Sequence, residues 1–278
     1  MTNNRYLSAE ERLTRYGRLL VALLVLPACL ASAPLAEREP DALDARGADT
    51  VKVADPHEVL AADLARARAA LSSLAGYQAE LVKEERIGER LYAPQRMQCK
   101  VRHEPFAVYL RFLEPDALVG QEALWAGERY DDELVARAAG PAGFLGAQVI
   151  DPEGGLAMRG NRYPITETGM LRLLEKVDAL LAVEDGPGAI DALRLLDGAE
   201  VDGRACSGVE ATLADGAPFA LVRLYFDEAW GLPVAYEAFE IEAGELRLVE
   251  RYAYEALDLE VELGDADFDR ANEAYRLR

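Results

Sequence analysis

The sequence predicts an α+β fold: one strongly curved antiparallel β-sheet, a half-open barrel, with helices packed on its concave face. Three observations point there. Short segments with an apolar residue at every second position recur along the chain, the period of strands that bury one face. Two other segments carry apolar residues at three- and four-residue spacing, the period of a helix with one buried stripe. The order is helix, strands, helix, strands, and a sheet of about nine to eleven strands tends to curl.

The first helix begins at Asp55-Pro56-His57-Glu58, where Asp55 caps, Pro56 suits the first helical position and Glu58 can close a capping box. Leu60, Leu64, Ala67, Leu71 and Leu74 form its stripe, and Gly76 offers a stop. Alternation then marks strands at Tyr77–Leu81, Met97–Arg102 and Phe106–Phe112, and a further strand at Gln121–Trp125. The glycine-rich stretch 127–160 leaves room for two short strands. A second helix is expected from about Glu167 to Ala182, with Leu171, Leu174, Val177 and Leu181 inward. Pro164 bars a helical conformation at Tyr163, Thr166 is a good N-cap, and Ile165 can staple onto Met170; Gly169 has no local reason to be there. "EDGPG" at 184–188 ends this helix. Asp202-Gly203 is a hairpin signal between a strand ending at Val201 and one over Ala205–Leu213. Strands follow at Phe219–Phe226, Pro233–Ile241 and Leu246–Leu259, and the tail packs through Phe268 and Tyr275.

Residues 1–36 stand outside this pattern. Arg5, Arg12, Arg15 and Arg18 precede an apolar run, Leu19–Leu26, too short to span a bilayer comfortably. The segment reads as an export signal. Ala31-Ser32-Ala33 has the look of a cleavage site, although Pro34 follows it. Leu26-Pro27-Ala28-Cys29 resembles a lipobox with Cys29 as the lipidated residue, although Pro27 is uncommon there. An uncleaved anchor is the third reading. All three place the domain outside the cytoplasm, in the periplasm or held at the outer membrane by an N-terminal anchor. Residues 37–54 lack apolar periodicity and read as a flexible tether, which leaves 55–278 as a single half-barrel domain.

Composition narrows the function. The 278 residues carry 50 acidic and 30 basic side chains, a formal charge of −20, so the surface repels phosphate backbones and nucleic acid is excluded as a partner. With two histidines and three cysteines, there is little material for a metal site or a histidine-dependent triad. None of G-x-S-x-G, HExxH, CxxC or a phosphate-cradling loop occurs. The expectation is therefore no enzyme, no metal and no cofactor. His103-Glu104 can do acid–base work in principle, but it sits in a turn where such residues are commonplace. Cys99 and Cys206 lie in strands and are either two buried thiols or, in an oxidising compartment, a disulfide.

Several residues are candidates for a cavity mouth or a binding motif. Lys83 and Arg86 flank Glu84 and Glu85, and Lys100 and Arg102 lie on another strand; if the two strands pair, the basic groups can face the two glutamates as cross-strand ion pairs on a solvated face, the favoured reading, or hold a lipid head group at a cavity mouth. Gln121 opens a strand within Gly120-Gln121-Glu122. Arg162 and Tyr163, in "GNRYPITETG", sit where the chain passes from sheet to helix and are not needed to start that helix.

Five blocks, "LVKEERIGERL", "MQCKVRHEPFAVYLRFLEPDALVGQEALW", "GNRYPITETGMLRLL", "LPVAYEAFE" and "VERYAYEALDLEVELGDADFD", resemble the bacterial domain-of-unknown-function 1571 family over roughly residues 55–278. The later blocks resemble more weakly the periplasmic lipoprotein-carrier superfamily, through a strand, an Asp…Gly-Leu-Pro turn, a strand and a closing acidic-Phe segment. That resemblance implies a half-open antiparallel barrel, an apolar cavity and lid helices. The carriers are usually soluble, and Cys29 departs from that. Two functions follow as expectations: an envelope protein, lipid-anchored through Cys29, that binds a lipid or lipoprotein acyl chain, or a non-enzymatic structural or sensor protein acting through a protein partner whose identity stays open.

Overall fold

A computed structural model describes residues 54–183 and 189–278. The chain divides into two units, Met1–Val51 and Lys52–Arg278, and all described residues belong to the second. The segment 1–36 expected to be an export signal with Cys29, nearly all of the expected 37–54 tether and the "EDGPG" stretch at 184–188 lie outside the described residues.

Helix α1 spans Pro56–Ser73, with Asp55 as N-cap accepting from the His57 amide at 2.9 Å. Leu60, Leu64, Ala67 and Leu71 are its buried stripe, each large side chain contributing about 1.5–3 kcal/mol on burial. Gly76 does not stop the helix. It opens strand β1 (Gly76–Ile87), and a Cβ there would lie 2.4 Å from the Val101 carbonyl oxygen, so only glycine lets the two strands approach.

The sheet is antiparallel throughout its pairings and consists of two meanders joined by the first and last strands. The first holds β1, the short β2 (Arg90–Leu91), β3 (Gln95–Arg102), β4 (Ala107–Glu114), β5 (Glu122–Trp125), β6 (Leu134–Arg137) and β7 (Gln148–Ile150). The second holds β8 (Ile190–Leu196), the short β9 (Glu200–Val201), β10 (Arg204–Leu213), β11 (Leu221–Asp227), β12 (Pro233–Glu242) and β13 (Glu245–Asp258). The spatial order β7-β6-β5-β4-β3-β1-β13-β12-β11-β10-β8 never closes, so the barrel is half-open. The thirteen strands exceed the expected nine to eleven because β2 and β9 are two-residue ladders that periodicity cannot see. Asp202 and Gly203 turn the β9–β10 hairpin with φ of 51° and 71°, the left-handed pair of a type I′ turn.

Alternation decides the core. Tyr77, Ala79 and Leu81 of β1, Met97, Cys99 and Val101 of β3, and Val108, Leu110 and Phe112 of β4 point to one face, which packs against α1 and helix α2 (Met170–Leu181). On the other face Ala107, Tyr109, Leu124 and Val135 are covered by Phe268, Tyr275 and Leu277 of the tail, with Tyr275 stacked on Tyr109 at 3.9 Å. β4 is therefore buried on both sides.

Two expectations about the second helix need correction. Helix α2 starts three residues later than expected: Thr166 lies in a single 3₁₀ turn, Ile165–Glu167, and the N-cap is Gly169 at φ 121°. A Cβ on Gly169 would sit 3.4 Å from the Tyr77 hydroxyl oxygen, which accepts the Met170 amide at 3.0 Å. A sheet tyrosine thus takes the place of the side-chain cap. Of the two alternatives for Cys99 and Cys206, the structure has the two buried free thiols. Burial pushes the Cys99 thiol up to about 12, and burial with nearby Asp227 pushes Cys206 up to about 11, so neither offers a thiolate near neutral pH.

Candidate functional site

The inner face of β1 changes character along its length. Leu81 lies beside Met97 of β3 and Tyr254 of β13; two residues on, Lys83 lies between Gln95 and Tyr252; two further, Glu85 lies opposite Glu250. The same period-two rule that buries Leu81 thus carries Lys83 and Glu85 inward. The space above them is a cavity of about 670 Å³. Its floor is apolar at Leu81, Met97, Leu110 and Phe112. Its roof is the segment 152–169 with Leu173 of α2, and its polar end is at Lys83, Gln95, Tyr163 and Tyr252.

That polar end is built around two buried carboxylates. Glu85 is 3 % exposed and accepts from the Tyr252 hydroxyl, from Lys83 Nζ at 3.2 Å and from the Arg162 amide at 3.2 Å. Glu250 is 2 % exposed and accepts from Arg162 Nε at 2.6 Å and from the Tyr163 hydroxyl at 3.0 Å. Arg162 also donates to the Arg86 carbonyl at 3.0 Å, and Lys83 donates to Asn161 Oδ1 at 2.5 Å. Three consecutive residues, Asn161, Arg162 and Tyr163, therefore latch the roof to the sheet. Lys176 of α2 completes the cluster, pairing with Glu167 at 3.1 Å with its ammonium 3.3 Å above the Tyr163 ring.

Burial pushes the Glu250 carboxyl above the usual carboxylate range, and Arg162 and Lys176 oppose that rise without cancelling it. Burial and then the neighbouring Glu250 raise the tyrosines Tyr163, Tyr236 and Tyr252, so all three stay protonated hydrogen-bond donors. The arrangement holds a loop and offers polar contacts to a guest. Among the described residues no group of three or more His, Cys, Asp or Glu side chains is placed to hold a metal ion.

The sequence candidates separate by face. Lys83, Gln121 and Tyr163 line the cavity. Arg162 lies just behind the lining and fastens it. Lys100 and Arg102 are not at the mouth and do not face Glu84 or Glu85. In register they oppose Gln78 and Gly76, and on the outer face they bind Asp267 at 2.6 Å and Asp265 at 2.8 Å, with Arg102 stacked on Phe268. Arg86 also points outward, donating to the Leu248 carbonyl at 2.9 Å. Lys83 and Glu85 are not a solvated charged face either, since both are largely buried. His103 is spent on structure, with Nδ1 2.8 Å from the Leu74 carbonyl oxygen at the end of α1; burial lowers its pKa, so the ring is neutral and donates. Reasoning from sequence missed Glu250, Tyr252 and Gln95. The signal was present in the alternation of "VERYAY", but Glu250 read as one more acidic residue in an acidic chain.

The family described as "Protein of unknown function (DUF1571)" matches residues 74–277. The chain belongs to this family. The match takes in β1, the latch segment and Glu250, and so the whole DUF1571 cavity. No curated protein matches the chain. Among solved structures it is similar to the lipoprotein LppX of Mycobacterium tuberculosis, with 12% identity and a TM-score of 0.44 over 74% of this chain and 99% of that one. It is similar to an uncharacterized conserved protein from Thermus thermophilus, with 14% identity and a TM-score of 0.43 over 76% and 92%. A LolA superfamily protein from Nitrosomonas europaea has 16% identity and a TM-score of 0.32 over 75% and 96%. No helix among the described residues is long and apolar enough to cross a membrane.

Proposed function

We propose that this protein is an exported cell-envelope protein that binds an acyl chain of a lipid or lipoprotein in its cavity and catalyses no reaction. In this reading residues 1–36 are the export signal, Cys29 carries the lipid anchor and 37–54 is the tether to a single domain in the periplasm or at the outer membrane. The observation that supports it most is the cavity itself. About 670 Å³ falls within the range of about 300–1,000 Å³ typical of small-molecule sites, and its floor is apolar at Leu81, Met97, Leu110 and Phe112. An acyl chain laid there gains about 0.8 kcal/mol per methylene removed from water. The thiols are buried and protonated and the tyrosines are held as donors, which fits holding a ligand rather than attacking one.

The test is to purify the full-length protein from membranes, extract it with organic solvent and identify the extract by mass spectrometry, followed by uptake of a labelled fatty acid. Co-purifying lipid or saturable uptake is the expected result. A folded protein that neither carries nor takes up an acyl chain would overturn the reading.

A further inference from the structure

The polar end of the cavity has more donors than the protein uses. In so acidic a chain most described lysines and arginines are tied to carboxylates, as Lys83, Arg96, Lys100, Arg162 and Arg223 are. Arg90 and Arg159 are exceptions: among the described residues neither has an ion-pair partner, and both line the cavity. The Arg90 guanidinium lies 4.7 Å from the centroid of the Tyr92 ring, also a lining residue. Arg159 is two residues before Asn161, the acceptor for Lys83. Gln95, also a lining residue, lies opposite Lys83 in register, and its Oε1 is buried with no hydrogen-bond partner. The buried acceptor on Gln95 is incomplete by the ordinary rule that buried polar groups are paired, and the two exposed guanidinium groups in the cavity lining carry charge that no carboxylate offsets. A net charge of −20 repels anions from the surface at large, so a local excess of positive charge here is selective.

We propose that the cavity takes a single-chain amphiphile with an anionic head group, a phosphate or a carboxylate. Its chain lies over Leu81, Met97 and Phe112. Its head is held by Arg90, Arg159 and Lys83, while a hydroxyl or amine of the head donates to Gln95. Arginine suits this role because its planar fork meets carboxylate and phosphate oxygens with two parallel hydrogen bonds. The inference rests on the reading that the cavity binds an acyl chain.

The experiment is calorimetric titration of the full-length protein, below micelle concentration, with palmitoyl lysophosphatidate, palmitate, monopalmitoylglycerol and inorganic phosphate. The two anionic amphiphiles are expected to bind about tenfold tighter than the neutral one, a difference of about 1.4 kcal/mol. Inorganic phosphate is expected to bind far more weakly than either. In the R90E/R159E double variant the preference should vanish while monopalmitoylglycerol binds as before; R90Q/R159Q should lose part of it. Both arginines are exposed, so the variants should melt like the wild type. Equal binding of charged and neutral amphiphiles, or a preference untouched in the double variant, would overturn the head-group assignment and leave chain binding standing. Inorganic phosphate binding as tightly as lysophosphatidate would show an anion site with no chain in it and overturn the proposal. Failure of all three amphiphiles to bind would bring down the functional reading together with it.

Discussion

Glu250 and Asp227 are both fully buried carboxylates, and both face an arginine, yet the protein treats them in opposite ways. Asp227 closes the turn between β11 and β12. It accepts from Arg204 Nε at 2.5 Å and from the amides of Ala229 and Trp230 at 2.9 and 2.7 Å. Two of its donors come from its own turn. Burial alone would raise its pKa, but Arg204 and the two amides outweigh that and hold it below the usual value. Glu250 has no backbone donor. Its partners, Arg162 and Tyr163, reach it from 88 and 87 residues away, and burial prevails. A carboxylate served by its own backbone is solvated by the fold wherever that turn forms. One served only by distant side chains depends on a loop staying docked.

The contrast can be broken by experiment. The largest effect is expected from Arg162→Ala, which leaves Glu250 buried without its charged partner and unlatches the roof. Chemical denaturation should show a loss of about 3–5 kcal/mol, and hydrogen exchange should quicken over 151–181 before the rest of the sheet. Asp227→Ala, which strips two amides and one guanidinium of their acceptor, should cost about 2–3 kcal/mol, with faster exchange confined to the β11–β12 turn. Removing the arginine instead should matter least there. Arg204 is about a third exposed and both amides remain, so Arg204→Ala should cost about 1 kcal/mol. Equal losses for the two arginine variants would erase the distinction.

The smallest effects are those of pH, and they carry opposite signs. Glu250, raised in the folded protein, contributes stability that is fully present below the ordinary glutamate pKa and is lost as pH rises through its folded value. Asp227, depressed, contributes stability that is present above the ordinary aspartate pKa and is lost as pH falls through its folded value. Between neutral and mildly acidic pH the wild type should therefore gain thermal stability relative to E250Q. In more acidic solution it should lose stability relative to D227N. Parallel melting curves for wild type and E250Q would show that Glu250 is solvated as well as Asp227 is.

Much of this was legible in the amino acids. The cap at Asp55, the stripe of α1 and the inward rows of β1, β3 and β4 follow from spacing alone, because each is a local property. The cavity's polar end was half legible. Carrying the Tyr77-Ala79-Leu81 alternation four residues further places Lys83 and Glu85 inside, and the Met97-Cys99-Val101 row places Lys100 and Arg102 outside. What local pattern could not supply was register. That Glu85 meets Glu250, and that Arg162 rather than a nearer residue satisfies it, depends on β1 pairing with β13. The start of α2 was hidden for the same reason: the oxygen that receives its first free amide belongs to Tyr77, 93 residues earlier.

The pairing of β1 with β13 also governs when the domain can fold. The Tyr252 hydroxyl meets Glu85 across 167 residues, and the back of β4 is covered by Phe268, Tyr275 and Leu277. During synthesis the first meander therefore waits with a twelve-residue strand edge unpaired and an apolar back uncovered until the final strand and tail emerge. Contacts of such long range are formed late and slowly, and an unpaired edge invites other chains. The native sheet cannot be completed before β13 and the tail are present, and until then the open β1 edge is the exposed part of the design.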